Sequence, residues 1–223
     1  MAEDQPIRSS LPKKRDLTPP LRDRADPIVA AVVFALFART FLFQAFAVPS
    51  RSMEKNVLTG DRLLVNKFVF APLGTPLAKL LPGRPVRRGD IVIFRFPPDP
   101  SRDFIKRVVG LPGETVEIRD RTVYVDGRAL LEPYVFHSDD RIWPDDPSIP
   151  EERRRRDQLP PTRIPEGAYF VMGDNRDDSS DSRAWGPVPE RLVVGRALFV
   201  YWSLPPDEGI ARTRWDRTFL PVR

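Results

Sequence analysis

A chain of 223 residues with 36 Lys and Arg against 31 Asp and Glu has a net charge of +5 and an isoelectric point near 9.8. It is long enough for one ordinary domain, or one core with a small appended lobe, and its charges are interleaved in sign, which suits a surface facing acidic lipid better than a groove for nucleic acid. With no Cys there can be no disulfide, thiol nucleophile or cysteine metal site, and with one His any Ser-His-Asp triad would have to use His137.

Residues 1–26 are polar, proline-bearing and mixed in charge, and read as a disordered cytoplasmic tail. From Ile28 to Val48 the only charge is Arg39 and the only amide Gln44. That run approaches the roughly 20 apolar residues that cross a bilayer, so residues 27–45 read as one N-terminal transmembrane helix. A charge at mid-membrane costs about 2.5–3.5 kcal/mol on insertion scales, which places Arg39 at the far headgroup boundary. A buried soluble helix is the competing reading. A cleaved signal peptide fits less well, because no small-x-small site followed by a polar start comes after the run. The basic cluster before the span puts the amino terminus inside and the bulk of the chain outside.

Beyond the span the pattern becomes strand-like, with short β-branched and aromatic runs between Gly, Pro and Asp. Strands are expected over Arg62 to Phe70, Asp90 to Phe96, Phe104 to Val109, Thr115 to Arg119, Thr122 to Val125, Ala168 to Met172 and Leu192 to Trp202, with a hairpin at Asp120-Arg121 and a short helix around Leu77 to Leu81. The fold class is mainly β, an antiparallel sheet domain formed by 46–120 and 166–223 with a small inserted hairpin and loop lobe at 121–165. Within that lobe, residues 139–165 hold six prolines and the run Arg153 to Arg156, and read as a solvated loop.

Three stretches carry candidate chemistry. Phe46-Ala47-Val48-Pro49-Ser50-Arg51-Ser52-Met53 presents the Ser52 hydroxyl after an apolar strand, although a serine in such a run is ordinarily a turn residue. In Asp103-Phe104-Ile105-Lys106-Arg107-Val108-Val109, alternation puts Lys106 on one face with Phe104 and Val108. Such a lysine either snorkels outward from an edge strand or is desolvated until its neutral amine can accept a proton. The third stretch, Gly173 to Gly186, is dense in side chains that bond their own backbone and must be a tightly folded loop. It lacks the glycine and the carboxylate that an EF-hand places at its sixth and twelfth positions, so no metal is expected there.

Together, P-S-R-S-M, the run D-F-I-K-R-V-V-G-L-P-G-E and the loop G-D-N-R-D-D-S-S-D-S-R-A-W-G, in this order behind an apolar span, resemble bacterial type I signal peptidases, the membrane-bound Ser/Lys peptidases of exported proteins. The resemblance implies Ser52 as nucleophile, Lys106 as general base, and Ser179 as the group orienting the lysine. It implies an oxyanion hole from the Ser50 hydroxyl and the Ser52 N–H, and signal-peptide contacts at Phe46, Val48, Asp103, Phe104 and Ile105. Asp181 and Arg183, with Arg107, would form an ion pair bracing the loop. The implied partners are signal peptides of exported preproteins, the lipid bilayer and the neighbouring export machinery, with no nucleic acid and no cofactor. The implied location is the outer face of the bacterial cytoplasmic membrane. Independently of the resemblance, Trp202, Trp215 and Phe219 with nearby arginines are expected to help seat the domain at the interface. The chain departs from the family pattern at Lys55-Asn56, where Pro-Thr is usual, and at Phe104 and Ala184, where Tyr is common. Two other readings are a self-cleaving Ser/Lys repressor-type peptidase, which should be soluble and carry a DNA-binding domain, and an inactive membrane-tethered scaffold that binds peptides.

Overall fold

The computed structural model describes residues 21–37, 43–67, 70, 84–206 and 208–223, in two units divided between Ala38 and Arg39. The first unit contains helix α1, Leu21–Phe37. Pro27 lies inside this helix, where it cannot donate to the carbonyl four residues back. Ile28, Val32 and Phe34 are exposed. No helix among the described residues is long and apolar enough to cross a membrane. Arg39 and the rest of 38–42 lie outside the described residues, as do Phe68, Val69 and the helix expected around Leu77 to Leu81.

Two boundaries differ from the sequence expectation. Leu21 to Asp26, read as part of the disordered tail, are helical. Phe43 to Ala45, read as the end of the apolar span, instead begin strand β1 (Phe43–Ala47), where they pair antiparallel with Leu64 to Asn66. Apolarity alone could not separate helix from strand here, because the partner strand decides it.

The second unit is built on a seven-stranded antiparallel sheet. Its strands are β1, β2 (Asp61–Asn66), β3 (Ile91–Phe96), β4 (Asp99–Gly110), β9 (Ala168–Met172), β10 (Val188–Pro189) and β11 (Val193–Ser203), in the order β1-β2-β11-β3-β4-β9-β10. A four-stranded sheet of β5 (Thr115–Arg119), β6 (Thr122–Val125), β7 (Arg128–Ala129) and β8 (Leu159–Arg163) has the order β7-β6-β5-β8. The turn joining β5 to β6 has Asp120 and Arg121 at φ 46° and 69°, the left-handed pair a two-residue hairpin requires. β8 contains Pro160 and Pro161 and lies at an edge, the place where a strand tolerates missing donors.

Both faces of the large sheet are covered, which is why β9 and the Ile91 to Phe94 part of β3 read as unbroken apolar runs rather than alternating ones. One face packs Leu63, Val65, Ile91, Ile93 and Ile105 against Met53 and Val57, and the other packs Val92, Phe94, Val108 and Tyr169. Val109, Phe170 and Met172 join a third cluster with Val116, Ile118, Val123 and Ile164, so the inserted lobe shares a core with the main sheet. The lobe begins earlier than its expected start at residue 121, because β5 pairs with β6 and β8 and with no strand of the main sheet. The Arg153 to Arg156 run is likewise helical. It forms most of α2 (Glu151–Asp157), with Glu151 and Glu152 in the first turn and arginines in the last, complementing the helix dipole.

Candidate active site

Ser52 sits in the turn that follows β1, and burial of its neighbours holds that turn in place. Met53 and Val57 are wholly buried in the core, while Asp61, at the start of β2, accepts from the Leu58 N–H at 2.8 Å, from Ser203 Oγ at 2.6 Å and from Arg217 Nη2 at 2.6 Å. Lys55 adopts φ 68° in this turn. A proline, whose φ is fixed near −65°, could not take that conformation, so the departure at Lys55-Asn56 goes with a differently shaped turn.

Lys106 is in the middle of β4, opposite Val92 of β3 and on the face of Phe104, whose ring centroid lies 5.6 Å from its Nζ. The side chain does not snorkel, for Lys106 is only 3% exposed. Its Nζ is 2.6 Å from Ser52 Oγ, and no carboxylate among the described residues is within ion-pair distance of it. Burial, opposed by the charge of Asp181, brings the amine down to about 8 from an ordinary 10.5. Ser50 Oγ lies 3.3 Å from Ser52 Oγ, and the Ser52 N–H has no acceptor among the described residues.

The third stretch closes over this pair. Gly173 follows β9, and its N–H donates to Asp181 Oδ2 at 3.0 Å. A side-chain carbon at Gly173 would lie 2.3 Å from Ser179 Oγ and 2.5 Å from the Ser52 carbonyl oxygen, so only glycine lets the loop come this close to the serine. The Asn175 N–H donates to the Ser52 carbonyl at 3.1 Å, and Asn175 Nδ2 to the Arg51 carbonyl at 3.3 Å. Asp181 caps the short helix α3 (Ser182–Trp185) and receives two hydrogen bonds from the Arg183 guanidinium. Burial alone would raise the Asp181 carboxyl, but Arg183 and the Gly173 N–H more than offset it and hold the group below the usual carboxylate range.

Arg107 does not join Asp181 and Arg183 as the sequence suggested. Its strand turns it to the other face, where it forms a two-pronged pair with Asp174, both contacts at 2.7 Å, and stacks 3.9 Å from the Tyr134 ring centroid. Asn56 Nδ2 donates to the same Asp174 carboxylate at 2.7 Å, tying the serine turn to the loop after β9. Asp174, Asn175 and Asn56 were missed as positioning groups, although the density of Asp and Asn in the loop was the available signal. Ser179 Oγ approaches Asp181 closely enough to help keep it ionised but makes no hydrogen bond of ordinary geometry, and none to Lys106. Lys106 is therefore held by Ser52 and by its apolar surroundings.

A cleft of about 560 Å³ opens at Ser52 and Lys106, lined by Phe46 from β1, Phe104 and Ile105 from β4, and Ser50. Arg102, Asp103, Asp178 and Ser180 supply its polar rim. Phe104 stacks on Phe96 at 4.4 Å, which fixes the ring as one wall. Val48 is buried in the core beneath the sheet and does not line the cleft. His137 contacts Asp177 at 3.0 Å and lies outside the cleft. Among the described residues, no cluster of three His, Asp or Glu is placed to hold a metal ion.

Comparison with known proteins matches the chain to one family. The family model described as "Signal peptidase, peptidase S26" matches residues 21–202. Signal peptidase I of Pseudomonas aeruginosa is 35% identical over 219 residues, covering 86% of this chain and 76% of that protein. The probable signal peptidase I-1 of a Synechocystis species is 33% identical, covering 91% of each chain. Signal peptidase I of Bacillus licheniformis is 36% identical, covering 78% of this chain and 85% of its own.

Proposed function

The chain belongs to the peptidase S26 family of signal peptidases, and we propose that it is held at a membrane and cuts exported preproteins after small-x-small sites through Ser52 and Lys106. The observation that carries this reading is the 2.6 Å contact between a buried serine hydroxyl and a buried lysine amine that has no carboxylate partner among the described residues. A serine hydroxyl is a poor nucleophile until a base takes its proton, and an amine titrating near 8 is such a base in mildly alkaline solution.

In the proposed reaction, neutral Lys106 takes the Ser52 proton as the oxygen attacks the scissile carbonyl carbon. The charge that develops on the carbonyl oxygen is met by the Ser52 N–H and the Ser50 hydroxyl. The lysine ammonium then protonates the departing amine, which frees the mature protein and leaves the signal peptide as an ester on Ser52. Water, deprotonated by the same lysine, attacks the ester, and the ammonium returns that proton to the departing Ser52 oxygen as the signal peptide leaves with its new carboxyl group. The apolar walls at Phe46, Phe104 and Ile105 suit an extended segment with small side chains next to the scissile bond.

The membrane part of the proposal is supported by the apolar run Ile28 to Phe37 of α1 and by exposed aromatic groups on the sheet unit. Trp202, Trp215 and Phe219 are 38%, 73% and 73% exposed, and Arg62 lies over the Trp202 ring. Aromatic rings beside arginines are the composition of a membrane interface. In vesicles with brominated acyl chains, the full chain carrying Trp143→Phe and Trp185→Phe should have its remaining tryptophan fluorescence quenched; unquenched emission would remove these residues from the interface.

The activity is tested with the purified, detergent-solubilised full chain and a preprotein bearing an alanine-x-alanine site. Wild type should cleave after the final alanine, whereas Ser52→Ala and Lys106→Ala should not, with all three giving the same far-ultraviolet circular dichroism. Cleavage by Lys106→Ala would refute the dyad. No cleavage by folded wild type would favour a peptide-binding scaffold.

A further inference from the structure

A second cavity, of about 660 Å³, lies behind the loop that borders the cleft and shares Asp178 and Ser180 with it as a common wall. Its character is opposite to that of the cleft. Where the cleft is walled by Phe46, Phe104 and Ile105, this cavity is lined by Arg141, Arg153, Arg155, Arg156, Arg176 and Arg183. Four of these are already committed: Arg176 to Glu132, Arg183 to Asp181, Arg155 to Glu151, and Arg156 to Asp157 and Asp139. The acids of the lining are Asp139 and Asp177, both within reach of Arg156, together with Glu152 and Asp178.

Arg141 and Arg153 are different. Neither guanidinium is in an ion pair among the described residues, although Asp139 lies near enough to Arg141 to feel its charge, and both lie over the indole of Trp143, at 5.0 and 5.2 Å from the ring centroid. The ring holds two planar forks in place while leaving their N–H groups free, which is a preformed site for a carboxylate. Both arginines are exposed, so the site can be entered from solvent.

We infer that this cavity receives the part of the preprotein that follows the scissile bond, with Arg141 and Arg153 selecting an acidic side chain there. The inference rests on the peptidase reading above. An extended substrate bound across Ser52 has an apolar, small-residue side that matches the cleft and a polar mature side that does not. The charged cavity past Asp178 and Ser180 is the continuation that suits the polar side. Asp178 and Glu152 set a second constraint, because a basic residue near them would be tolerated only where it avoids the Trp143 clip. The Arg153 to Arg156 helix thereby acquires a role in choosing substrates.

The test walks a single Asp or Lys through the first six positions after the cleavage site of an otherwise neutral peptide, and reads kcat/KM for the full chain in detergent. Wild type should favour Asp over Lys about five- to tenfold at one or two adjacent positions, the size expected from two exposed charge pairs. The double variant Arg141→Glu, Arg153→Glu should invert that ratio at the same positions. A ratio near one at every position in wild type overturns the inference, as does a ratio unchanged by the double variant. The neutral peptide separates the two levels, because its cleavage by wild type supports the peptidase reading whatever the ratios show. Loss of binding to anionic vesicles in the double variant, with the peptide ratio unchanged, would assign the clip to a lipid phosphate and overturn the substrate role.

Discussion

Replacing Lys106 by methionine is expected to abolish peptide cleavage and at the same time make the protein more stable at neutral pH. The folded-state amine titrates near 8, against about 10.5 in an exposed lysine. Between those two values the unfolded chain keeps a proton that the folded chain has lost, so wild-type stability rises with pH across that window. Below pH 8 the full cost of holding the lysine in an apolar site is present, on the order of 3 kcal/mol. Methionine removes that cost but leaves the Ser52 hydroxyl one partner short, a loss of about 1 kcal/mol, for a net gain of about 2 kcal/mol. Urea unfolding from pH 6 to pH 10 checks this. The advantage of Lys106→Met should be largest below pH 8 and should fade as pH rises through the window. An advantage independent of pH, or a variant less stable than wild type at pH 7, would disprove the linkage. The same titration gives wild-type kcat/KM a rise of about tenfold per pH unit up to about pH 8, followed by a plateau.

The second large effect is expected from a single methyl group. Gly173→Ala would place a carbon 2.3 Å from Ser179 Oγ and 2.5 Å from the Ser52 carbonyl oxygen. That carbonyl is already fixed by the Asn175 N–H, so the serine turn and the loop must part. Overpacking of this kind costs about 1–3 kcal/mol of stability. Displacing the nucleophile by about an ångström costs on the order of a hundredfold in kcat/KM. Gly209→Ala is the matched control: Gly209 has φ −70° and nothing within 4 Å of the added carbon, so it should leave both quantities unchanged. A Gly173→Ala enzyme within threefold of wild type would show that the loop and the serine turn are not in contact.

Much of the site was legible because its chemistry sits in short contiguous stretches. Alternation alone put Lys106 on the face of Phe104 and Val108, and β4 does carry it there. Alternation could not tell a snorkelling lysine from a buried one, since that depends on Ser52 and the loop after β9 meeting its amine. The assignment of Arg107 to the Asp181 pair missed for a related reason. Residues 106 and 107 point to opposite faces of the strand, so Arg107 meets the loop at its start, on Asp174, and not at Asp181. Val48 was assigned to the substrate through the family resemblance, but it is packed in the same core cluster as Phe46, and only Phe46 also reaches the cleft. In the lobe, six prolines hid β8 and α2. Only the acidic first turn and basic last turn after Pro150 could have shown the helix.

The strand order has a bearing on when the sheet is completed during the molecule's own synthesis. Strand β11, the last to be made, is hydrogen-bonded between β2 and β3. The serine turn between β1 and β2 thus belongs to one half of the sheet, and the lysine strand β4 to the other. A growing chain has every group of the site once residue 183 has emerged, yet its two halves remain unjoined as a sheet until residues 193–203 thread between them. Contacts of such long sequence separation form late. The strand that completes the sheet between the serine turn and the lysine strand is therefore supplied by residues 193–203, while Asn56 and Asn175 tie the serine turn to the loop after β9 directly.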